Sequence, residues 1–229
     1  MGRIKEKILF CGYRSWALDI FEDIKSSVTE IEFDLARDKD GLNEKIEKYN
    51  YKVILFIGWS WIIKEEIINS KICVCLHPSL LPKYRGGCPL QHQIINGETT
   101  SAVTLFVMDK EIDHGPILWQ KKFSLEGGLC GIFKRMEDLG HEGLEFILKE
   151  YSDKGGLSGE AQNHEEATFF KRRKPSESEI KIEDFSDYTA KELYNKVRAL
   201  QDPYPNPYLL CKNGTKLFIK EANYNDERD

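Results

Sequence analysis

Three residues within one stretch, 72–118, are of types that could do chemistry together: Cys75, His77 and Asp113. His77 follows an apolar run, Ile72 to Leu76, that reads as a short buried strand. Asp113 follows a second apolar run, Ala102–Met108, in a turn closed by Gly115 and Pro116. A histidine past one strand end and a carboxylate past the next could meet at one edge of a sheet, where open α/β sheets bind ligands. An imidazole with an ordinary pKa of ~6.5 suits proton uptake or donation to a developing oxyanion. Asp113 would hold the ring in one tautomer and stabilise its charged form; Asp109 competes locally for that part. Each residue also has a plain reading, the histidine as a backbone cap and the aspartate as a turn former. Cys75 offers only a weak S–H donor, and only its nearness to His77 would activate it.

The elements that must carry these groups alternate in type. Lys7–Cys11 reads as a strand, followed by Gly12 and a helical period through Ala17, Ile20, Phe21 and Ile24. Residues 31–35 read as a second strand, Leu42–Tyr49 as a helix and Val53–Ile57 as a third strand. Leu90–Ile95 is amphipathic. Ile132–Tyr151 reads as a helix interrupted by Gly140 and Gly143. The pattern predicts an α/β protein with a Rossmann-like, mostly parallel sheet flanked by helices. The single glycine after the first strand is no GxGxxG fingerprint, so a dinucleotide site is weakly supported. The Gly- and Ser-rich stretch 153–163 looks like a linker. It divides a domain over 1–160 from a small subdomain over 161–229, with a helix at Asp187–Leu200 and a hairpin across Asn213-Gly214.

At 229 residues, with 41% apolar and 31% charged residues, the chain is expected to be soluble and globular. Its net charge of -5 argues against a broadly basic nucleic-acid surface, and no nucleic-acid partner is expected. No apolar run approaches the ~20 residues a membrane helix needs. The N-terminus lacks the apolar core and cleavage site of a signal peptide, so a cytoplasmic location with no membrane partner is expected. Six cysteines with no CxxC pair and no metal spacing with histidine read as reduced thiols; no metal is expected.

The stretch resembles the formyltransferases that use 10-formyl-tetrahydrofolate, a family that includes the glycinamide ribonucleotide, methionyl-tRNA and sugar N-formyltransferases. Their shared signature is Asn-x-His-x-Ser-Leu-Leu-Pro, then Arg-Gly, then Asp-x-Gly. The matching residues are Cys75 to Pro82, Arg85-Gly86, and Asp113-His114-Gly115. The resemblance implies 10-formyltetrahydrofolate as donor co-substrate and His77 and Asp113 as catalytic residues. It places Cys75 where the family has Asn. It implies a donor site formed by the loop Gly58, Trp59, Ser60, Trp61 and Ile62 with Leu81, Pro82 and Asp109. Acceptor contacts are expected from Ser79, Arg85, Gly86, Gly87 and Gln91. Gln91 or Gln93 could also supply the missing amide. Among acceptors, the acidic charge, the short tail and the Gly-Trp-Ser-Trp loop resemble the sugar N-formyltransferases most. The implied acceptor is the amine of a nucleotide-linked amino sugar of the kind used in surface polysaccharide biosynthesis. A methionyl-tRNA formyltransferase-like enzyme, or a folate- or sugar-binding homologue impaired by Cys75, is the alternative. A homodimer is left open.

Overall fold

The structure, a computed structural model, describes residues 6–225. A six-stranded sheet runs in the order β2 (Glu32–Ala36), β1 (Lys7–Cys11), β3 (Val53–Ile57), β4 (Ile72–His77), β6 (Thr100–Val107), β7 (Ile117–Ser124). The first four are parallel, β6 lies antiparallel to β4, and β7 antiparallel to β6. The mostly parallel sheet expected from the sequence is therefore present. β7 was not foreseen, because ILWQKKFS alternates poorly; it exists because it satisfies the open edge of β6.

The sheet buries both faces, which is why β1, β3 and β4 read as continuous apolar runs. On one face Phe10, Leu55, Ile57, Leu76 and Leu105 meet helix α1 (Ser15–Ser27) and helix α5 (Leu129–Lys154). On the other, Leu9, Ile54, Phe56 and Cys73 meet Leu42 of α2 (Lys39–Lys48) and Ile67 of α3 (Glu65–Ser70). α1 buries Trp16, Ala17, Ile20, Phe21 and Ile24, the stripe a 3.6-residue period lays on one side. α5 is unbroken where two glycines suggested interruption. A Cβ on Gly140 would stand 2.7 Å from Ile20 Cδ1, and one on Gly143 2.6 Å from Trp119 Cε3. The glycines let the helix lie close on α1 and β7.

The expected boundary near 160 is no departure of the chain. Ile117 and Glu160 exchange backbone hydrogen bonds of 2.8 and 2.9 Å. The next residues run back across the sheet's carboxyl edge, and β8 (Phe169–Phe170) pairs with β5 (Arg85–Gly86). Helix α4 (Pro89–Ile95) follows β5. Beyond β8 come α6 (Asp184–Asp187), α7 (Ala190–Ala199) with a Thr189–Glu192 capping box, and the hairpin β9 (Tyr208–Leu210) and β10 (Lys216–Phe218).

Candidate active site

β4 ends at His77, and the turn after β6 carries Asp113. Both side chains are largely buried, with Nδ1 of His77 3.4 Å from Oδ2 of Asp113. The two groups are brought together, but not by strands ending at one edge: β6 is antiparallel to β4, and the turn after it reaches back to His77. Asp113 takes a left-handed backbone (φ 51°), rare outside glycine but tolerated by aspartate. Its Oδ2 accepts from the Gly86 N–H at 2.7 Å.

His77 Nε2 lies 2.8 Å from the carbonyl oxygen of Tyr84. A carbonyl can only accept, so Nε2 carries the proton. The tautomer is thus set by Tyr84, not by Asp113 as the sequence suggested. Nδ1 is left with its lone pair facing the carboxylate. Protonation there would turn that facing into a charge-assisted pair, so Nδ1 is the ring atom ready to gain a proton. Nothing in the Tyr-Arg-Gly-Gly sequence marked Tyr84 beyond turn chemistry. In the structure its φ of 60° aims its carbonyl at the imidazole, its N–H donates to Thr168 Oγ1 at 2.8 Å, and its hydroxyl donates to Glu98 at 2.9 Å.

The residues expected around the acceptor turn their polar atoms inward. Ser79 is fully buried and donates to the Lys83 carbonyl at 2.7 Å. Arg85 is 2% exposed, and its Nε and Nη2 donate to Gln162 Oε1 at 3.2 and 2.6 Å. Burial lowers its guanidinium pKa, against the pull of Asp113, Asp109 and Glu111. Gly86 and Gly87 lie under the segment after Gln162; a Cβ on them would meet Phe170 O at 2.2 Å and Arg172 Cα at 2.6 Å. Gln91 is buried beside Tyr204, whose phenol burial pushes up against the pull of that amide. Gln93 donates to the Pro78 and Pro89 carbonyls at 2.8 and 3.1 Å. Leu81 is buried, with its carbonyl accepting from Gln120 at 3.2 Å, and the Pro82 carbonyl accepts from Thr168 N at 3.4 Å. The loop 78–87 is a braced frame for His77 and Asp113.

Cys75 is two residues before His77 on β4 and so shares its side of the sheet. Burial, then the Asp113 carboxylate and the Cys73 thiol, push its own thiol well above the ordinary value. It stays protonated, its Sγ 3.7 Å from the Leu76 carbonyl. That excludes a ready thiolate nucleophile.

The loop after β3 turns on Gly58 (φ 66°) at the crevice between β1 and β3, where the connection order reverses. Trp61 packs on Trp59 and Tyr13 at ring centroid distances of 4.7 and 4.8 Å. The Tyr13 hydroxyl donates to Ser60 Oγ at 2.7 Å. Ile62 is 94% exposed. The buried Nε1 of Trp59 meets no acceptor among the described residues. Trp59, Trp61 and Tyr13 form an aromatic cluster of the kind that can wall a flat ring. Asp109 is engaged elsewhere, accepting from the Glu111 N–H at 2.8 Å and pairing with His114 Nδ1 at 2.6 Å. Among the described residues no group of His, Cys, Asp or Glu could hold a metal, and no helix is long and apolar enough to cross a membrane.

Residues 25–144, which contain both His77 and Asp113, match the profile of the formyl transferase family. The chain belongs to that family. It is 31% identical over 179 residues to the methionyl-tRNA formyltransferase of Sulfurovum sp. (strain NBC37-1), covering 78% of this chain and 56% of that one. The chain thus spans about half the length of the curated relatives it matches. A methionyl-tRNA formyltransferase from Clostridium thermocellum has the same fold, with TM-score 0.77 and 29% identity, covering 93% of this chain and 97% of that one. A sugar N-formyltransferase from Shewanella sp FDAARGOS_354 shares the fold with TM-score 0.77 at 18% identity, over 98% of this chain and 100% of that one.

Proposed function

We propose that this formyl transferase moves the formyl group of 10-formyltetrahydrofolate to the primary amine of a nucleotide-linked amino sugar. The observation that carries the reading is the facing of His77 Nδ1 and Asp113 Oδ2 at the carboxyl edge of the sheet. The donor supplies a formyl carbon already activated for attack. A primary amine that attacks that carbon acquires a positive charge and must lose a proton. His77 takes it at Nδ1, and Asp113 stabilises the imidazolium that results. The same proton then serves the departing folate nitrogen, so no protein nucleophile enters and no proton is lost overall. Cys75 contributes at most a weak donor toward the formyl oxygen, and the imidazolium, whose two N–H groups face Tyr84 O and Asp113, adds only the field of its positive charge. The Trp59–Trp61 aromatic pair walls the flat ring system of the donor.

The charge of the chain favours a small anionic acceptor over a long polyanion. A tRNA needs a broad basic surface, whereas the net charge is -5; the run Lys171–Lys174 brings the exposed Lys171, Arg172 and Lys174 together. That run follows directly on β8 over the site frame, within reach of a nucleotide's phosphates. A second reading, methionyl-tRNA as acceptor, is favoured by the names of the relatives in sequence. The two separate in one experiment. Purified protein with 10-formyltetrahydrofolate is offered a panel of nucleotide-linked amino sugars and, separately, methionyl-tRNA, and the products are weighed for the gain of one formyl group. Gain on a sugar alone supports the first reading, gain on the tRNA alone replaces it with the second, and no gain on either removes both acceptors.

A further inference from the structure

The Gly- and Ser-rich stretch that looked like a linker holds one residue out of keeping with a linker. Gln162 is 6% exposed, and both ends of its amide are used. Oε1 accepts from Arg85 Nε and Nη2. Nε2 donates to the carbonyls of Asp113 and Gly115 at 3.0 and 2.7 Å. One carboxamide therefore ties the strand that carries Gly86 to the turn that carries Asp113.

That turn has a tight, uncommon geometry that its neighbours hold in place. Asp113 is left-handed, and Gly115 lies so close to β6 that a Cβ there would stand 1.8 Å from the Val107 carbonyl oxygen. A left-handed non-glycine residue persists only where its surroundings over-determine it. The Asp113 carboxylate is fixed from one side by the Gly86 N–H, and the Asp113 carbonyl from the other by Gln162. Arg85, next to Gly86, is fixed by the same Gln162. We infer that Gln162 is a positioning residue: it sets the Asp113 turn against the Arg85–Gly86 strand and so fixes the carboxylate opposite His77 Nδ1. It touches neither donor nor acceptor. Its effect on turnover rests on the function proposed above; its effect on the geometry does not.

Replacing Gln162 by Glu separates its two halves. The carboxylate keeps an acceptor, now charged, for Arg85, so the guanidinium remains buried and paired and the fold is retained. The two N–H donors vanish, and a carboxylate oxygen faces the carbonyls of Asp113 and Gly115. The turn is released while the strand is held. The Gly86 amide, bonded to Asp113, reports on this without any substrate.

In the experiment, wild type and Gln162→Glu are compared by melting temperature, by hydrogen exchange and 1H–15N shift of the Gly86 amide, and by kcat and KM for formyl transfer. Gln162→Ala, which also removes the Arg85 acceptor and leaves the guanidinium its contact with His164 Nδ1 at 2.9 Å, is the reference for loss of both halves. The expected result is a Gln162→Glu protein that melts within a few degrees of wild type, with the Gly86 amide shifted and exchanging at least tenfold faster. Its kcat falls by at least tenfold with both KM values within about twofold. A Gly86 amide unchanged in Gln162→Glu overturns the positioning role whatever the activity. A shifted Gly86 amide with wild-type kcat overturns the link from that geometry to turnover. A wild-type protein that transfers no formyl group to any acceptor removes the proposed function alone, since a Gly86 amide freed by the substitution still establishes the positioning.

Discussion

Tyr84 points its backbone carbonyl at His77 Nε2 from 2.8 Å, and this one contact decides which ring nitrogen is free. With Nε2 committed as a donor, proton uptake falls to Nδ1, the atom that faces Asp113. The pair is then directional: a proton gained at Nδ1 arrives between imidazole and carboxylate. Removing the acceptor atom tests this directly. His77→Ala is expected to lower kcat for formyl transfer by ~10²–10⁴ with little change in KM, the range for losing a general acid–base group. Steady-state kinetics at several pH values checks it. A loss confined to KM would mean that His77 only binds.

Asp113→Asn keeps an acceptor for the Gly86 N–H and tolerates the left-handed backbone about as well as aspartate does. It removes only the charge that would stabilise the imidazolium. The expected outcome is a well-folded protein whose kcat falls on the order of 10², because Nδ1 loses its counter-charge and not its place. Asp113→Ala loses the Gly86 bond as well and is expected to fall further. Equal activity of Asp113→Asn and wild type would assign the carboxylate to loop structure alone.

The thiol of Cys75 is held protonated by burial and by the neighbouring Asp113 carboxylate. A raised thiol pKa means that the reactive thiolate is scarce near neutral pH and grows only as the pH climbs through the raised value. Iodoacetamide at neutral pH is therefore expected to label the exposed Cys130 and Cys211 and to spare Cys75, with mass mapping as the readout. Cys75→Ala is expected to keep turnover within about tenfold of wild type, and Cys75→Asn not to abolish it. Loss of more than ~10³ in Cys75→Ala with an intact fold would make the thiol part of the chemistry.

Much of this site was legible because its chemistry-bearing residues sit at the ends of strongly patterned strands. The apolar run before His77 marks the end of β4, but β6 is antiparallel to β4 with Val107 opposite Val74, so Asp113 reaches His77 because the turn after β6 folds back and not because the two strands end at one edge. The frame around them was not legible, because frames are made of backbone. Tyr84 acts through its carbonyl and Gly86 through its N–H, and no side-chain pattern announces either. Gln162 lies 49 residues from the turn it ties, in a stretch with no periodicity. Arg85 illustrates the same limit in reverse: its type suggests an anion ligand, and only coordinates show the guanidinium 2% exposed and bonded to Gln162. β7 carries no strand signature because its residues are mostly half-buried, with three of eight exposed and only Phe123 buried, without clean alternation.

Two glycines separate what serves the fold from what serves the site. Gly143 lies on α5 where an added Cβ would press on the Trp119 ring at 2.6 Å and on Leu105 Cδ1 at 2.9 Å. Overpacking of this kind costs roughly 1–3 kcal/mol, a melting temperature lower by several degrees for a chain of this size. Trp119 and Leu105 lie on the α5 face of the sheet, the face opposite Cys75 and His77, so Gly143→Ala is expected to lose stability and keep kcat. Gly86 has φ 98° and would drive its Cβ to 2.2 Å from the Phe170 carbonyl oxygen, which is backbone and cannot swing aside. β8 or β5 must move, and the N–H that holds Asp113 moves with β5. Gly86→Ala is expected to lower kcat by tenfold or more for a comparable drop in melting temperature. Thermal melts beside kinetics on the two variants check the contrast, and kcat falling equally in both would mean that the site follows global stability instead of the Gly86–Asp113 bond.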